Sequence, residues 1–491
     1  MFLKLYRFII SRGSLPVLLT LLVACVVAVV EGSLSPGDIF LVFLVASLQS
    51  FLLVYEFLFD AAVPVERLTE ENRLPDSDTV NAVAMGMSFI PLLLWGGAWL
   101  AWVALLAAGI YLSRSLWVLL MRLAGRGRLT TQALGELDAQ QPAVAVYVSG
   151  LADVAYQVNQ WLPVLERLDL PVMVVARQRG VFDGMAETDI PVFYARNMAH
   201  VETVLGYGVR TVLYPANTMH NVQALRQFQL NHFFINHGES DKAVNQSKLL
   251  QAYDKLLVAG PLAHRRLVGA GLALRDNQVE YVGRPQAELL LEQAGQQTHQ
   301  GALRVLYAPT WEGFVDNVDY SSIGKLGLGL LKALSEDRNV EVVFKPHPYT
   351  GSRKSAKAAE LAEMMSFCRA NGIRVEESLV SIYECMNASD LLITDVSSVL
   401  NDYLITRKPV VMCVNEMMSV LPVDELFPSA RAAYKLRLGE SVGELISTIV
   451  QDDTVARLRQ EVRADSLGDF PEGAMAKFKQ VIQESVIDAV Q

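Results

Sequence analysis

Two histidines follow apolar segments in the second half of the chain, where a strand end would present them. His237 follows the apolar run 233–235, and His347 follows the run 342–344 within a Lys-Pro-His-Pro sequence. The flanking prolines restrict the local backbone, so the imidazole of His347 is held rigidly. Because imidazole titrates near neutral pH, either side chain can move a proton. The pair therefore predicts proton-transfer chemistry.

The stretch 391–411 predicts an anion-binding turn. A short apolar strand leads through Asp395 into a helix that begins at Ser397 and Ser398. The first N–H groups of a helix lack intrahelical partners and lie at the positive end of its dipole, which suits a phosphate. Asp402 lies seven residues after Asp395, about two helical turns, so both carboxylates can face one way. The alternative is a simple helix cap with Asp402 as a surface charge.

Further candidates lie beside these blocks. Lys345 and Lys408 add positive charge near the turn, and Thr310 follows another apolar run. Trp311 either stacks on a nucleotide base or closes the rim of the cleft. The remaining candidates are Gly238, Lys242 and Glu312.

The sequence lacks several well-known catalytic motifs. It has no GxxxxGK[ST] loop, HExxH or GxSxG, so P-loop, zincin and nucleophile-elbow chemistry are excluded and no metal site is expected. With these classes excluded, the simplest reaction that the candidate residues could catalyse is a displacement at a nucleotide-linked donor. The turn, a lysine and one histidine would neutralise the leaving group, while the other histidine removes a proton from an acceptor hydroxyl.

Composition narrows the class further. The 491 residues are 52% hydrophobic and carry a formal net charge of −10, which argues against a nucleic-acid binder. The four cysteines have no CxxC spacing, so we expect neither a disulfide framework nor a zinc site, in a reducing compartment. The oligomeric state stays open.

From residue 143 onward, apolar strands alternate with amphipathic helices, the pattern of parallel βαβ units. The predicted strands are 143–148, 172–175, 192–194, 211–214, 233–235, 256–258 and 280–282, then 304–307, 340–344, 374–376, 391–393 and 410–414. This predicts two Rossmann-like doubly wound domains that face a cleft, 142–295 on the acceptor side and 302–472 for the donor nucleotide. In such sheets ligands lie at the carboxyl ends of the strands. A C-terminal helix, 473–491, is expected to pack back on the sheets.

Residues 1–128 predict an all-α transmembrane region. The apolar segments 14–31, 38–59 and 88–123 can each cross or nearly cross a hydrocarbon core of about 30 Å, and a signal peptide would supply only one. Basic residues flank the region on both sides, which places both flanks in the cytoplasm. Three crossings would instead put the two flanks on opposite sides of the membrane. Either the third segment is a hairpin, giving four, or one segment is re-entrant, or the N-terminus is outside.

With its blocks in this order, the chain resembles the CDP-glycerol glycerophosphotransferase family of teichoic-acid polymerases and primases. The resemblance covers roughly residue 143 to the C-terminus. The matching blocks are His237-Gly238 with Lys242, Ala308-Pro309-Thr310-Trp311, Lys345-Pro346-His347-Pro348, and Thr394-Asp395 through Ser397-Ser398, Asp402 and Lys408-Pro409.

The resemblance implies a GT-B-like fold and cofactor-free, metal-independent transfer of glycerol phosphate from CDP-glycerol to an acceptor hydroxyl, with release of CMP. It also implies a peripheral or integral association with the inner face of the bacterial membrane. Together with the apolar segments and their basic flanks, this predicts a multi-pass protein of the bacterial inner membrane with a cytoplasmic catalytic domain. His237 is implied as the base. His347, Ser397, Ser398 and Asp402 are implied as donor contacts, with Thr310, Trp311, Lys345, Asp395 and Lys408 as further donor-side residues.

Five positions depart from the family pattern: Asn236, where members often carry an aromatic residue, Glu239, Ser240, Glu312 and Val396. Glu312 stands where members often carry a cation, which leaves glycerol, ribitol or a sugar open as the transferred group. The acidic net charge makes a single addition to a lipid-linked or cell-surface glycan as plausible as polymerisation. Two other functions stay open: a GT-B nucleotide-sugar glycosyltransferase, and a non-catalytic membrane-bound glycan-assembly protein.

Overall fold

The computed structural model describes residues 20, 22, 25–26, 36–72, 83–84, 86–87, 100–150, 154–239, 247–288, 301–313, 319–376 and 380–488. Lys242, nearly all of the predicted membrane segment 14–31 and the first part of the segment 88–123 lie outside the described residues.

The described strands are numbered in chain order. They are β1 Val65–Arg67, β2 Val144–Val148, β3 Val172–Ala176, β4 Val192–Ala195, β5 Thr211–Tyr214, β6 Asn231–Phe234, β7 Lys255–Val258, β8 Val279–Tyr281, β9 Leu303–Ala308, β10 Val340–Phe344, β11 Arg374–Val375, β12 Leu391–Thr394, β13 Val410–Val414 and β14 Tyr434–Arg437.

The described α-helices are numbered in the same way. They are α1 Pro36–Ala62, α2 Leu100–Gln140, α3 Tyr156–Asn159, α4 Leu162–Leu165, α5 Met198–Leu205, α6 Val222–Leu225, α7 Pro261–Gly269, α8 Lys325–Glu336, α9 Ser355–Ala370, α10 Ile382–Ala388, α11 Ser398–Tyr403, α12 Val423–Leu426, α13 Val442–Gln451, α14 Ala456–Leu467 and α15 Ala474–Asp488. Short 3₁₀ turns cover Glu70–Asn72, Arg179–Gly184, Met219–Asn221, Lys248–Ala252, Leu404–Thr406 and Pro428–Ala432.

All twelve predicted strands are present, and their ends lie within two residues of the predicted ones. Two strands, β1 and β14, were not predicted. Both are short and carry charged residues, so neither shows the apolar run by which a buried strand is found from sequence. The domain boundaries 142–295, 302–472 and 473–491 stay predictions.

The chain divides into two compact units. The first consists of Met1–Gln140, Ala176–Asp183 and Val192–Val204, and the second of Gln141–Val175, Gly184–Pro191 and Leu205–Gln491.

The second unit contains parallel strands from two sheets, in agreement with the predicted α/β fold. In one sheet β2, β5, β6, β7 and β8 follow one another in parallel. The other has the order β11-β10-β9-β12-β13-β14 and is parallel throughout. Buried clusters cover both faces of this second sheet. Because parallel strands share a direction, the segments that follow β9, β10 and β12 meet at one edge.

The C-terminal helix α15 packs on the first sheet. The rings of Phe478 and Trp161 have centroids 5.1 Å apart, and Phe478 is fully buried. The Ser485 hydroxyl lies 2.8 Å from Thr211 Oγ1, and its carbonyl accepts a bond from the Asn231 amide. The end of the chain therefore covers the sheet that carries β6 and the residues after it.

In the first unit, β1 pairs antiparallel with β4, and α1 lies against α2. Among the described residues, one helical segment, Leu106–Gln140, has the length and composition of a membrane span. Helix α1 covers the predicted segment 38–59 and contributes a shorter apolar stretch, Val42–Leu52. The described residues thus give one span candidate, and three or four crossings are not supported.

Arg122, one of the basic residues used to assign the cytoplasmic flank, is buried in the first unit. Its guanidinium donates to Glu66 Oε1 at 3.1 Å and lies 3.9 Å from the centre of the Phe59 ring. Arg179 donates to the same carboxylate at 2.6 Å. Arg122 therefore completes a buried ion cluster, which offsets the cost of removing its charge from water. The positive charge of Arg122 therefore does not indicate which flank of the helix lies in the cytoplasm.

Candidate active site

A cavity of about 470 Å³ lies in the second unit, at the carboxyl ends of the strands. The predicted residues that line it are His237, Gly238, Thr310, Trp311, His347, Ser397 and Ser398. The strand-end rule thus brings together blocks that are more than 150 residues apart in the chain. Among the described candidates, Lys345, Asp395, Asp402, Lys408 and Glu312 are not part of the cavity wall.

His237 carries its proton on Nδ1. That nitrogen lies 3.0 Å from the carbonyl oxygen of Pro215, which can only accept, so Nδ1–H must be the donor. The tautomer leaves Nε2 with its lone pair. Burial lowers the pKa of His237 to about 4, and the nearby Arg284 charge acts in the same direction. The side chain is therefore a neutral imidazole at physiological pH, with an unprotonated Nε2.

The backbone before His237 explains one departure from the family pattern. Asn236 has a φ of 54°, in the left-handed region, where asparagine is among the better-tolerated side chains. Its Oδ1 accepts the N–H of His237 at 2.9 Å, and its carbonyl accepts the indole N–H of Trp161. An aromatic residue at this position would lack the bond that fixes the start of the His237 segment.

His347 has the opposite tautomer. Its Nδ1 accepts the backbone N–H of Tyr349 at 3.0 Å, so in the neutral ring Nε2 carries the proton. Trp311 stacks on this imidazole, with ring centroids 6.0 Å apart and an interplanar angle of 21°. The ring is thus suited to donate a hydrogen bond from Nε2. This contact gives Trp311 a role beyond the two that the sequence left open: its ring supports the imidazole of His347.

Tyr156, at the start of α3, lies between the two histidines. Its ring packs edge-on against His237 at 5.6 Å, His347 at 5.9 Å and Tyr349 at 5.9 Å. One side chain therefore sets the position of both imidazoles. The sequence offered no signal for this role beyond the start of an amphipathic helix.

We expect Tyr156→Ala to lower kcat by about tenfold or more, because each lost aromatic pair is worth about 0.5–1.5 kcal/mol and both imidazoles lose their common support. Tyr156→Phe keeps the ring and should stay within about threefold of the wild type. The measurement is steady-state release of CMP, with melting temperature as the folding control. Equal losses in the two variants would assign the effect to the hydroxyl and contradict the packing role.

The two serines lie where the segment after β6 meets the start of α11. Ser397 is the N-cap, and its hydroxyl lies 3.2 Å from Thr394 Oγ1 instead of capping the helix. A Cβ built on Gly238 would stand 2.8 Å from Ser398 Oγ. Only glycine therefore allows the His237 segment to approach Ser398 this closely.

Asp395 holds the cavity wall from behind. Its Oδ2 accepts the backbone N–H of Thr310 at 2.8 Å and that of Ser322 at 3.1 Å, and the residue is fully buried. It thus fixes the loop that presents Thr310 and Trp311. The expected direct donor contact at Asp395 is replaced by this supporting position.

Asp402 forms a buried ion pair with Arg284. Arg284 Nε and Nη2 donate to the two carboxylate oxygens at 2.8 and 3.0 Å, and Nη2 also reaches the His237 carbonyl at 3.2 Å. Tyr383 adds a bond to Asp402 at 3.0 Å. Burial alone would lower the pKa of Arg284, but Asp402 and Tyr383 raise it above its ordinary value. Asp402 therefore helps to hold the segment that carries His237, and its burial rules out the alternative of a surface charge.

Arg284 was not found from the sequence, although it follows strand β8 as the other site residues follow theirs. Applying the strand-end rule to the Gly-Arg-Pro sequence at 283–285 would have identified it.

Glu312, which stands where family members often carry a cation, has a structural role outside the cavity wall. Its carboxylate accepts backbone N–H groups of Gly351 at 3.0 Å and Arg353 at 3.2 Å. Burial would raise the pKa of Glu312, but these backbone bonds lower it overall. The side chain anchors the loop after His347. A cation at this position would lack the acceptor oxygens that the loop needs.

Neither lysine lines the cavity. Lys408 Nζ donates to the carbonyl oxygen of Asn387 at 3.3 Å and to that of Ser389, at the end of α10, where it acts as a C-terminal cap. It precedes β13 and so lies at the opposite edge of the sheet from the cavity. Burial lowers the pKa of Lys345, and its charged neighbours are Glu376 and Glu384. Lys408 therefore does not add positive charge at the turn, while the role of Lys345 stays a prediction.

Val396 and Asn401 also have structural explanations. Val396 is buried in the core on one face of the second sheet, which favours an apolar side chain there. Asn401 Nδ2 donates to the Glu239 carbonyl at 2.8 Å and so ties α11 to the His237 segment.

Residues 216–420 match the family model of CDP-Glycerol:Poly(glycerophosphate) glycerophosphotransferase. The chain carries a domain of this family. It is a CDP-glycerol glycerophosphotransferase-like transferase, and the match spans the two histidines, the Asp395 turn and the Arg284–Asp402 pair. The comparison with curated proteins returns no match.

Solved structures show the fold of the glycerophosphotransferase domain. The Wall Teichoic Acid Polymerase TagF is similar over 77% of this chain and 97% of its own, with 14% identity and a TM-score of 0.50. A TagF variant soaked with CDPG is similar over 75% of this chain and 98% of its own, with 14% identity and a TM-score of 0.51. The transferase thus has an α/β fold similar to that of TagF.

Proposed function

We propose that this transferase moves glycerol phosphate, or a related polyol phosphate, from a CDP-linked donor to a hydroxyl of a lipid-linked or cell-surface glycan. The observation that carries the proposal is the pair of histidines on one cavity with opposite tautomers. Nε2 of His237 can accept a proton, and Nε2 of His347 can donate a hydrogen bond.

In the proposed step, His237 Nε2 removes the proton of the acceptor hydroxyl as its oxygen attacks the phosphorus that bears the polyol. The bond from that phosphorus to the bridging oxygen breaks, and CMP leaves with the electron pair. His347, Ser397 and Ser398 donate hydrogen bonds to the phosphate oxygens, where charge must be stabilised. The proposal includes no metal or cofactor, so turnover should persist in EDTA.

The test is a donor screen with the full chain in detergent. CDP-glycerol, CDP-ribitol and UDP-sugars are offered with a bacterial lipid extract, and the released nucleotide is identified. Release of CMP supports the proposal. Release of a nucleoside diphosphate would indicate a glycosyltransferase instead, and no release from any donor would indicate a non-catalytic assembly protein.

We further propose that the chain is anchored in the bacterial cytoplasmic membrane, with its catalytic part in the cytoplasm. Helix α2 supports the membrane anchor. Its side chains Leu106, Ile110 and Trp117 are each more than 60% exposed, and Leu106–Gln140 is the span candidate among the described residues. Extraction of membranes at alkaline pH should leave the chain in the pellet. Recovery in the supernatant would contradict the anchor.

A further inference from the structure

Two successive carbonyl groups, those of Asn236 and His237, are held by side chains from other parts of the chain. The indole N–H of Trp161, the residue before α4, donates to the Asn236 carbonyl at 2.5 Å. Arg284 Nη2 donates to the His237 carbonyl at 3.2 Å. One donor therefore holds the peptide group on each side of His237.

Both of these supports lie against the first half of the C-terminal helix α15. Trp161 is 1% exposed, and its ring centroid lies 5.1 Å from that of Phe478. Gly283 precedes Arg284, and a Cβ built on it would stand 2.5 Å from Ala474 Cβ, at the start of α15. The helix thus packs on Trp161 itself and on the residue next to Arg284.

The first half of α15 is in turn firmly attached to the second unit. Glu288 Oε2 accepts the backbone N–H of Met475 at 2.7 Å. Lys477 Nζ lies 2.9 Å from Glu280 Oε1, on strand β8. Phe478 is fully buried. The helix can therefore serve as a fixed support for the side chains that it contacts.

The backbone at Asn236 depends on such support. Its φ of 54° lies in the left-handed region, which is unfavourable for a residue with a side chain. A conformation of this kind persists only where the surrounding contacts hold it. Without the Trp161 bond the peptide before His237 can relax, and the imidazole moves with it.

We propose that Trp161 is a positioning residue for His237 and that helix α15 holds Trp161 in place, so that proton transfer requires the last helix of the chain. Trp161 does not line the cavity as the described residues form it, and acts through the Asn236 carbonyl. The inference rests on the proposed transfer reaction, in which His237 is the base. It adds to α15 a role beyond the packing on the sheets that the sequence predicted.

The first test measures CMP release by variants of the full chain, with kcat expressed per folded protein. Trp161→Phe keeps a ring against Phe478 but has no N–H, so kcat should fall about fivefold or more while the donor KM stays within about twofold. Phe478→Ala leaves the indole N–H in place but removes its support, and should lower kcat about threefold or more. Phe478→Leu fills most of the space again and should recover most of that loss.

A second measurement needs no turnover. NMR follows the titration of His237 directly, and His237→Asn assigns its signal. Burial holds the pKa of His237 at about 4, so an imidazole that leaves its place in Trp161→Phe should titrate closer to 6.5. Arg284 and Tyr156 also face this imidazole, and both are kept in the variant.

Ser485→Ala is the matched control. Ser485 lies on the same helix and is also buried, but its hydroxyl lies 2.8 Å from Thr211 Oγ1, at the start of β5 and thus at the edge of the sheet opposite the cavity. The variant should lower the melting temperature, keep kcat within about twofold of the wild type and leave the titration of His237 unchanged.

Wild-type kcat and an unchanged His237 titration in Trp161→Phe would overturn the inference while the transfer reaction stands. Equal losses of kcat in Ser485→Ala and Phe478→Ala would do the same, because they would assign the effect of α15 to folding alone. A wild type that releases no CMP from any donor would overturn the proposed transfer, and the inference with it.

Discussion

Replacing His237 with asparagine should lower kcat by about 10²–10⁴-fold, the usual contribution of a general base. An asparagine amide can still donate to the Pro215 carbonyl, as Nδ1 does in the wild type, so the segment keeps its main anchor. In the proposed reaction the donor phosphates are bound mainly by His347, Ser397 and Ser398, so the KM for the donor should change little. The measurement is CMP release with CDP-glycerol at saturating donor.

His264 provides a matched control for this variant. It is also partly buried and hydrogen-bonded, through Nδ1 to the Tyr281 hydroxyl at 2.9 Å, but it does not line the cavity. His264→Asn should keep kcat within about twofold of the wild type. Near-normal turnover in His237→Asn, at an unchanged melting temperature, would remove His237 from the role of base.

The pH dependence follows from the same residue. The pKa of His237 is lowered from 6.5 to about 4, so the imidazole stays neutral until the pH approaches 4. We expect kcat/KM to be flat from pH 8 to about 5 and to fall below that, since kcat/KM reports the ionisation of the free enzyme.

The same pKa shift makes stability depend on pH. Between pH 4 and 6.5, His237 binds fewer protons in the folded state than in the unfolded chain. This contribution to stability is therefore complete above pH 6.5 and is lost as the pH falls towards 4.

The sequence predicted the strands and the position of the cavity because both depend on local pattern. Apolar runs identified the strands, and the carboxyl ends of parallel strands brought His237, His347 and the serines to one cavity. What the pattern could not supply was the direction of each side chain. Asp395 and Asp402 lie at the right edge of the sheet, yet their carboxylates bind the protein and not the cavity.

Partners from distant parts of the chain were the second limit. Tyr156 contacts both histidines from a helix with no catalytic motif, and Arg284 reaches Asp402 across 118 positions. Lys408 looked like a phosphate ligand because it stands near the turn in sequence. Strand direction places it at the other edge, where it caps α10.

Asp402→Asn should destabilise the catalytic part of the chain by about 3–5 kcal/mol, the largest stability effect that we expect from a single substitution here. The side chains of Arg284 and Asp402 are only 3% and 5% exposed, so the variant leaves a guanidinium buried without a counter-charge. Denaturation in detergent, followed by tryptophan fluorescence, measures the change. Asp465→Asn is the control: it breaks a pair with Arg265 whose side chains are 58% and 37% exposed, and should cost about 0–1 kcal/mol.

A double variant separates the stability of this pair from its effect on the base. Arg284→Met with Asp402→Leu removes both charges, and should recover most of the stability that either single variant loses, because apolar replacements of a buried pair are often neutral. It cannot restore the bond from Arg284 Nη2 to the His237 carbonyl. We therefore expect a stable protein with kcat still about tenfold or more below the wild type. Wild-type turnover in the stable double variant would show that the pair serves folding alone. A persistent loss would show that a buried charge outside the cavity wall positions the base within it.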